Sequence, residues 1–172
     1  IIDEVHIYDK VLSSGEVNHM YNISKNKYPI SLQTKMGNFY DVGDEDVIFG
    51  WHGDSVKDYV GGSVGTEEGN VLVGNTEGYL GGGTEFDGVD DNINYGDIDA
   101  LDFGTNDFSV GSWIKTSAPL EDSNDIYQIV VKDAGSSGNN GFGLFLRGSV
   151  TYNGVSLRFS DGSLVDITPD SD

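Results

Sequence analysis

The sequence predicts an all-β protein, an antiparallel β-sandwich with one short helix near the N-terminus. Three observations predict it. Short runs rich in Val, Ile, Phe, Tyr and Trp recur along the chain and are separated by clusters of Gly, Asn, Asp and Ser. Twenty-five glycines against three prolines suit many tight turns between such strands. After residue 22 no segment has the length and period of a crossover helix, so parallel α/β folds are poorly supported. At 172 residues, 37% apolar and 11% aromatic, the chain can bury one substantial core.

The elements follow in order. From Ile2 to Tyr8, Val5, Ile7 and Tyr8 alternate with Asp3, Glu4 and His6, which predicts a strand. Ser13 with Glu16 three residues on has capping-box spacing, and Val17, Met20 and Tyr21 then share one face of a short helix. Residues 23–46 carry Lys, Asn, Pro29, Gly and acid without a sustained period; they read as a linker with one strand around Ile30 to Leu32 and a boundary near residue 45. Beyond it, strands are expected at Val47–His52, Asn70–Gly74, Thr84–Phe86, Asn92–Tyr95, Phe108–Lys115, Ile126–Lys132, Gly141–Arg147, Val155–Ser160 and Leu164–Ile167. The last two flank Asp161-Gly162, a hairpin turn pair because Gly accepts positive φ.

Charge narrows the partners. Twenty-nine Asp and Glu against nine Lys and Arg give a formal net charge of -20 and a pI near 4.1. Such a field repels nucleic acid and anionic membranes. The acids are spread along the chain, so divalent metal or a saline habitat is implied, the alternative being a merely well-solvated surface. The absence of Cys removes disulfides, zinc–thiolate sites and cysteine nucleophiles. No stretch approaches about 18 continuous apolar residues, so no membrane insertion is expected. The chain opens on Ile1 with neither an initiator Met nor a signal peptide, the pattern of a processed protein or of an excerpt from a longer one.

The run Gly81-Gly-Gly-Thr-Glu-Phe-Asp-Gly-Val-Asp-Asp-Asn-Ile, followed by Leu101-Asp-Phe-Gly-Thr-Asn-Asp-Phe-Ser-Val-Gly-Ser-Trp-Ile-Lys-Thr, resembles the first half of a LamG-like, concanavalin A-like jelly roll. In that family an FDGVDDYV-type turn precedes a DFTISAWVK-type strand. Ile129-Val-Val-Lys-Asp, Asn140-Gly-Phe-Gly-Leu and Leu157-Arg-Phe-Ser-Asp-Gly continue the likeness in order. Ile2-Asp-Glu-Val-His-Ile-Tyr-Asp-Lys-Val-Leu-Ser-Ser-Gly-Glu-Val resembles the family's closing segment, at the opposite end from its usual place. The resemblance therefore divides the chain into residues 1–22, the closing strand and helix of one such domain; 23–46, a linker; and 47–172, a jelly roll lacking its last strands. Either the chain crosses a tandem repeat, or it is a permuted or strand-exchanged unit in which Ile1–Asp9 pairs beside Val47–His52. An incomplete sandwich would expose strand edges that invite pairing with another copy.

Calcium is the expected metal, since it takes about 6 to 8 hard oxygen ligands. Asp87, Asp90 and Asp91 crowd one turn where Gly88 lets carbonyls face inward, with Asn92 and Asp97 beyond. The resemblance implies that Asp54, Asp58 and Asp3 with Glu4 converge on the same edge and hold a structural calcium. Alternatively these Asp residues are turn formers bonded to their own backbone. Catalysis is not expected. Glu85-Phe-Asp87-Gly-Val-Asp90 approaches the E-x-D-x-x-E strand of glycan-cleaving relatives, but its last acid is one methylene short and Gly88 interrupts the strand. His6, His19 and His52 are scattered and read as structural. Tyr79, Tyr95, Tyr127 and Tyr152 are candidates to stack on sugar rings, whereas Trp113 and Phe108 read as core. Asn22-Ile23-Ser24 is a glycosylation sequon. The resemblance implies a secreted, cell-surface or virion-surface module binding glycan or protein through a non-catalytic site, or a structural subunit that joins neighbouring copies by strand exchange.

Overall fold

The computed structural model describes residues 1–25, 46–117, 126–132, 141–148, 153–159 and 164–167. Among them the secondary structure is eleven strands, one α-helix and one 3-10 turn, and every strand pair is antiparallel. The protein is thus all-β with a single helix. It divides into two compact units, Ile1–Gly96 with Asn106–Lys115, and Asp97–Thr105 with Thr116–Asp172.

The first unit is organised around its N-terminal strand. β1 (Ile2–Tyr8) pairs with β2 (Val47–Trp51) on one side, Val5 opposite Trp51 and Ile7 opposite Phe49. On the other side it pairs with β7 (Ser109–Ile114), from Ile2 opposite Ile114 to Tyr8 opposite Ser109. Central strands bury both faces, and six consecutive residues, Asp3 to Tyr8, are buried here. Val5, Ile7, Tyr8, Val47, Phe49 and Trp51 form this unit's core. β4 (Leu72–Glu77) and β5 (Gly82–Glu85) extend the sheet, with Ile2 opposite Thr84. β3 (Thr66–Glu68) and β6 (Asn92–Asn94) form a separate ribbon.

α1 (Ser14–Lys25) starts as its sequence requires. Ser13 Oγ accepts from the Glu16 backbone N–H at 3.3 Å, and Glu16 Oε2 accepts from the Ser13 N–H at 2.7 Å, so two orphan donors of the first turn are satisfied reciprocally. Lys10 then bridges Glu16 at 2.8 Å and Asp46 at 2.5 Å. Met20 takes the Tyr8 hydroxyl on its sulfur at 3.5 Å, and Tyr21 stacks on Trp113. Replacing Ser13 with Ala removes the cap and should lower the melting midpoint by about 2–4 °C. Unchanged melting would mean that the helix is held by Met20 and Tyr21 alone.

The second unit carries β8 (Ile126–Lys132), β9 (Phe142–Gly148), β10 (Asn153–Phe159) and β11 (Leu164–Ile167), each pairing with the next in chain order. β9 is inner and buries Phe142, Leu144, Phe145 and Leu146; Phe142 meets Phe103 at 5.7 Å between ring centres. Lys132 is buried and held by Asp97 and by Asp102, the latter at 3.2 Å.

The expected strand at Ile30 to Leu32, the Asp161-Gly162 turn and Tyr152 lie outside the described residues.

Candidate metal centres

Strand pairing places the acidic and imidazole side chains of the first unit. Continuing the β1–β2 register beyond Val5 and Trp51 sets Glu4 across from His52 and Asp3 across from Gly53. β1 also carries an irregularity between Asp3 and His6 against β7. Glu4 sits in it with φ +53, the one positive φ outside glycine among the described residues, and such bulges redirect side chains.

Asp3 is 1% exposed. Its Oδ2 accepts from the Leu80 N–H at 2.9 Å, whereas Oδ1 is buried with no hydrogen-bond partner. A Cβ built on Gly53, whose φ is +76, would lie 2.9 Å from that Oδ1 and 3.2 Å from the Ile2 carbonyl oxygen. Only glycine lets the backbone approach the carboxylate this closely. Desolvation, with the Glu4 charge adding to it, drives the Asp3 pKa up to about 6, against the pull of the Leu80, Tyr79 and Glu4 backbone N–H groups. Asp3 also borders a depression of about 240 Å3 with Glu77, Gly78, Tyr79, Trp113 and Lys115.

The other residues expected to hold calcium separate by environment. Asp58 is also 1% exposed, but its Oδ1 accepts from the Gly50 and Val60 N–H groups and its Oδ2 from that of Gly61, all within 3.0 Å. It therefore fastens the loop after β2. Asp54 is exposed on the turn beside Asp3. Asp87, Asp90 and Asp91 do come together, with carboxylate oxygens within 4.8 Å of one another. Asp91 takes the Asn70 N–H at 2.6 Å and the Asp87 N–H at 2.8 Å, while Asp87 takes that of Val89 at 2.8 Å. Those bonds are what turn formers make. Among these acids Asp3 alone combines a buried carboxylate oxygen lacking a hydrogen-bond partner with the close approach of Gly53 and the Ile2 carbonyl.

A second constellation was not visible from spacing. Glu4, His6 and His52 bring one ligand atom each within 4.8 Å of the others. Glu4 and His6 are buried, and the His52 side chain is one-third exposed. His52 Nδ1 lies 3.1 Å from Glu4 Oε2, and His6 Nε2 lies 3.7 Å from the same oxygen. Burial pushes the His6 pKa down to about 4, although Glu4 pulls it up. Burial also depresses His52, but there the hydrogen bond and charge of Glu4 prevail and the net shift is upward. Tyr59 stacks on the His52 ring at 4.3 Å and 10°. Gly50 makes room for it, since a Cβ there would lie 2.2 Å from the Tyr59 ring. His19, by contrast, is exposed on α1.

Of the aromatic residues, Tyr79 stacks on Trp113 at 3.8 Å and Tyr95 meets Phe49 edge-on at 5.1 Å. Tyr127 is half-buried on β8. The chain matches no family model, no curated protein and no solved structure.

Proposed function

We propose that this chain is a non-catalytic, calcium-stabilised LamG-like jelly-roll module of the extracellular or virion surface, serving adhesion or carbohydrate or protein binding. The observation that carries the calcium part is the buried Asp3 carboxylate, whose Oδ1 has no hydrogen-bond partner and is closely approached by Gly53. An ionised carboxylate left so is costly, and a hard cation would relieve it. Asp3, the Ile2 carbonyl and Asp54 would hold the ion, which would tie β1 to the turn after β2. The depression beside Asp3, with Glu77 and Lys115 at its walls and the Tyr79–Trp113 stack, supports a polar ligand such as a glycan. Against hydrolysis, Glu85 is exposed and accepts from the Thr76 hydroxyl at 3.0 Å, Asp87 bonds its own turn, and Gly88 has φ +77.

Calcium at about 100 times its Kd should stabilise the protein by about 2.7 kcal/mol. The midpoint should rise by about 5–10 °C over that in chelator. Asp3→Asn should abolish the response. A wild-type melt indifferent to calcium would remove the calcium reading.

One observation favours a second reading, a structural subunit joined by strand exchange: the N-terminal strand is the inner, doubly buried strand of its sheet. A copy that donates β1 to its neighbour would satisfy the same register in trans. Sedimentation that grows with concentration would support it, and a monomer at every concentration would end it.

A further inference from the structure

We infer that Glu4, His6 and His52 form a binding site for a divalent transition-metal ion of the zinc class, distinct from the oxygen-lined position at Asp3. Two imidazole nitrogens and one carboxylate oxygen are the donor set that borderline ions prefer and calcium does not. A tetrahedral ion with bonds of 2.0–2.1 Å places its ligand atoms about 3.3 Å apart. Here two of the three separations are 3.1 and 3.7 Å, and all three atoms lie within 4.8 Å of one another. Small side-chain rotations would therefore complete the geometry.

The site is built by the fold rather than by surface clustering. Glu4 and His6 project from the inner strand of the sheet, and His52 follows the strand paired to it. Tyr59 packs flat on the His52 ring, and Asp58 anchors the Tyr59 loop through the Gly50 and Val60 N–H groups. Such surroundings hold ligand rings in place. The partial exposure of His52 leaves an entry path and a fourth position for water. The competing description is a metal-free ion pair between Glu4 and protonated His52, and the two differ in what added metal does.

The test uses the full chain, stripped with chelator and then held in excess calcium, titrated with zinc by calorimetry. One zinc per chain is expected, undisplaced by calcium, with cobalt in its place giving the intense visible bands of a tetrahedral nitrogen–oxygen site. His52→Ala and Glu4→Gln should each weaken zinc by about 100-fold or more, since even outer-shell losses cost 10–100-fold. His52→Ala is the milder change for folding, and its circular dichroism should match wild type. Zinc binding that survives unweakened in His52→Ala, or cobalt that shows only the weak spectrum of an octahedral oxygen site, would overturn the inference by assigning the ion to the acidic surface.

Discussion

Ile7→Asp should leave the first unit unfolded at room temperature. Ile7 is 1% exposed on the inner strand, so the change removes a packed side chain and buries a charge with no partner among Phe49 and Val110, its cross-strand neighbours. The combined cost is about 5 kcal/mol or more. That matches the whole stability of an ordinary domain. Both tryptophans, Trp51 and Trp113, lie in this unit, so their emission reads it without contribution from the second. The expected result is red-shifted emission before any denaturant is added. Val11→Asp, at a position 64% exposed, should change the stability by no more than about 0.5 kcal/mol. Native-like emission from Ile7→Asp would mean that β1 is not the strand on which the sheet depends.

The second large effect is a cancellation that two single substitutions expose. His6 titrates at about 4 in the folded protein against an ordinary 6.5. A depressed pKa contributes stability that is present above 6.5 and is lost as pH falls through about 4. Asp3 titrates at about 6 against 3.8, so its contribution is present below 3.8 and is lost as pH rises through about 6. Each shift corresponds to about 3 kcal/mol, and across pH 4 to 6 the two slopes oppose. Measured in chelator by denaturant unfolding, wild type should show little slope from this pair. Relative to it, His6→Gln should gain stability toward pH 4 and Asp3→Asn should lose it. Three parallel curves would show that neither group is desolvated in the native state.

Most strands were legible because their side chains alternate. The expected and observed bounds coincide for Ile2–Tyr8, Ile126–Lys132 and Leu164–Ile167 and differ by a residue or two at most others. β3 was missed because Thr66-Glu67-Glu68 has no apolar member and is exposed throughout, so its partner Asn92–Asn94, not its own composition, makes it a strand. The candidate sites were less legible than the fold. Asp3 was singled out with five other acids, and nothing in its spacing told it apart from Asp58. The difference lies in which N–H groups reach each carboxylate once the loops close. Glu4, His6 and His52 were hidden for a similar reason: the pairing of residue 4 with residue 52 is a property of register. The available signal was Glu-x-His on a strand and a His directly after the strand able to pair with it.

The inner position of β1 also sets the order of events during synthesis. Its partners are Val47–Trp51 and then Ser109–Ile114, more than a hundred residues downstream of Ile2. At about 5–20 residues per second, a ribosome exposes β1 for roughly 5–20 s before β7 has been made. Val5, Ile7 and Tyr8 then lie on an apolar segment with both edges open until Val47–Trp51 is made and one edge open until Ser109–Ile114 follows. Folding of the first unit is therefore gated by elongation, and slowing translation between residues 51 and 109 would lengthen the period in which nascent chains on one message can capture each other's first strand.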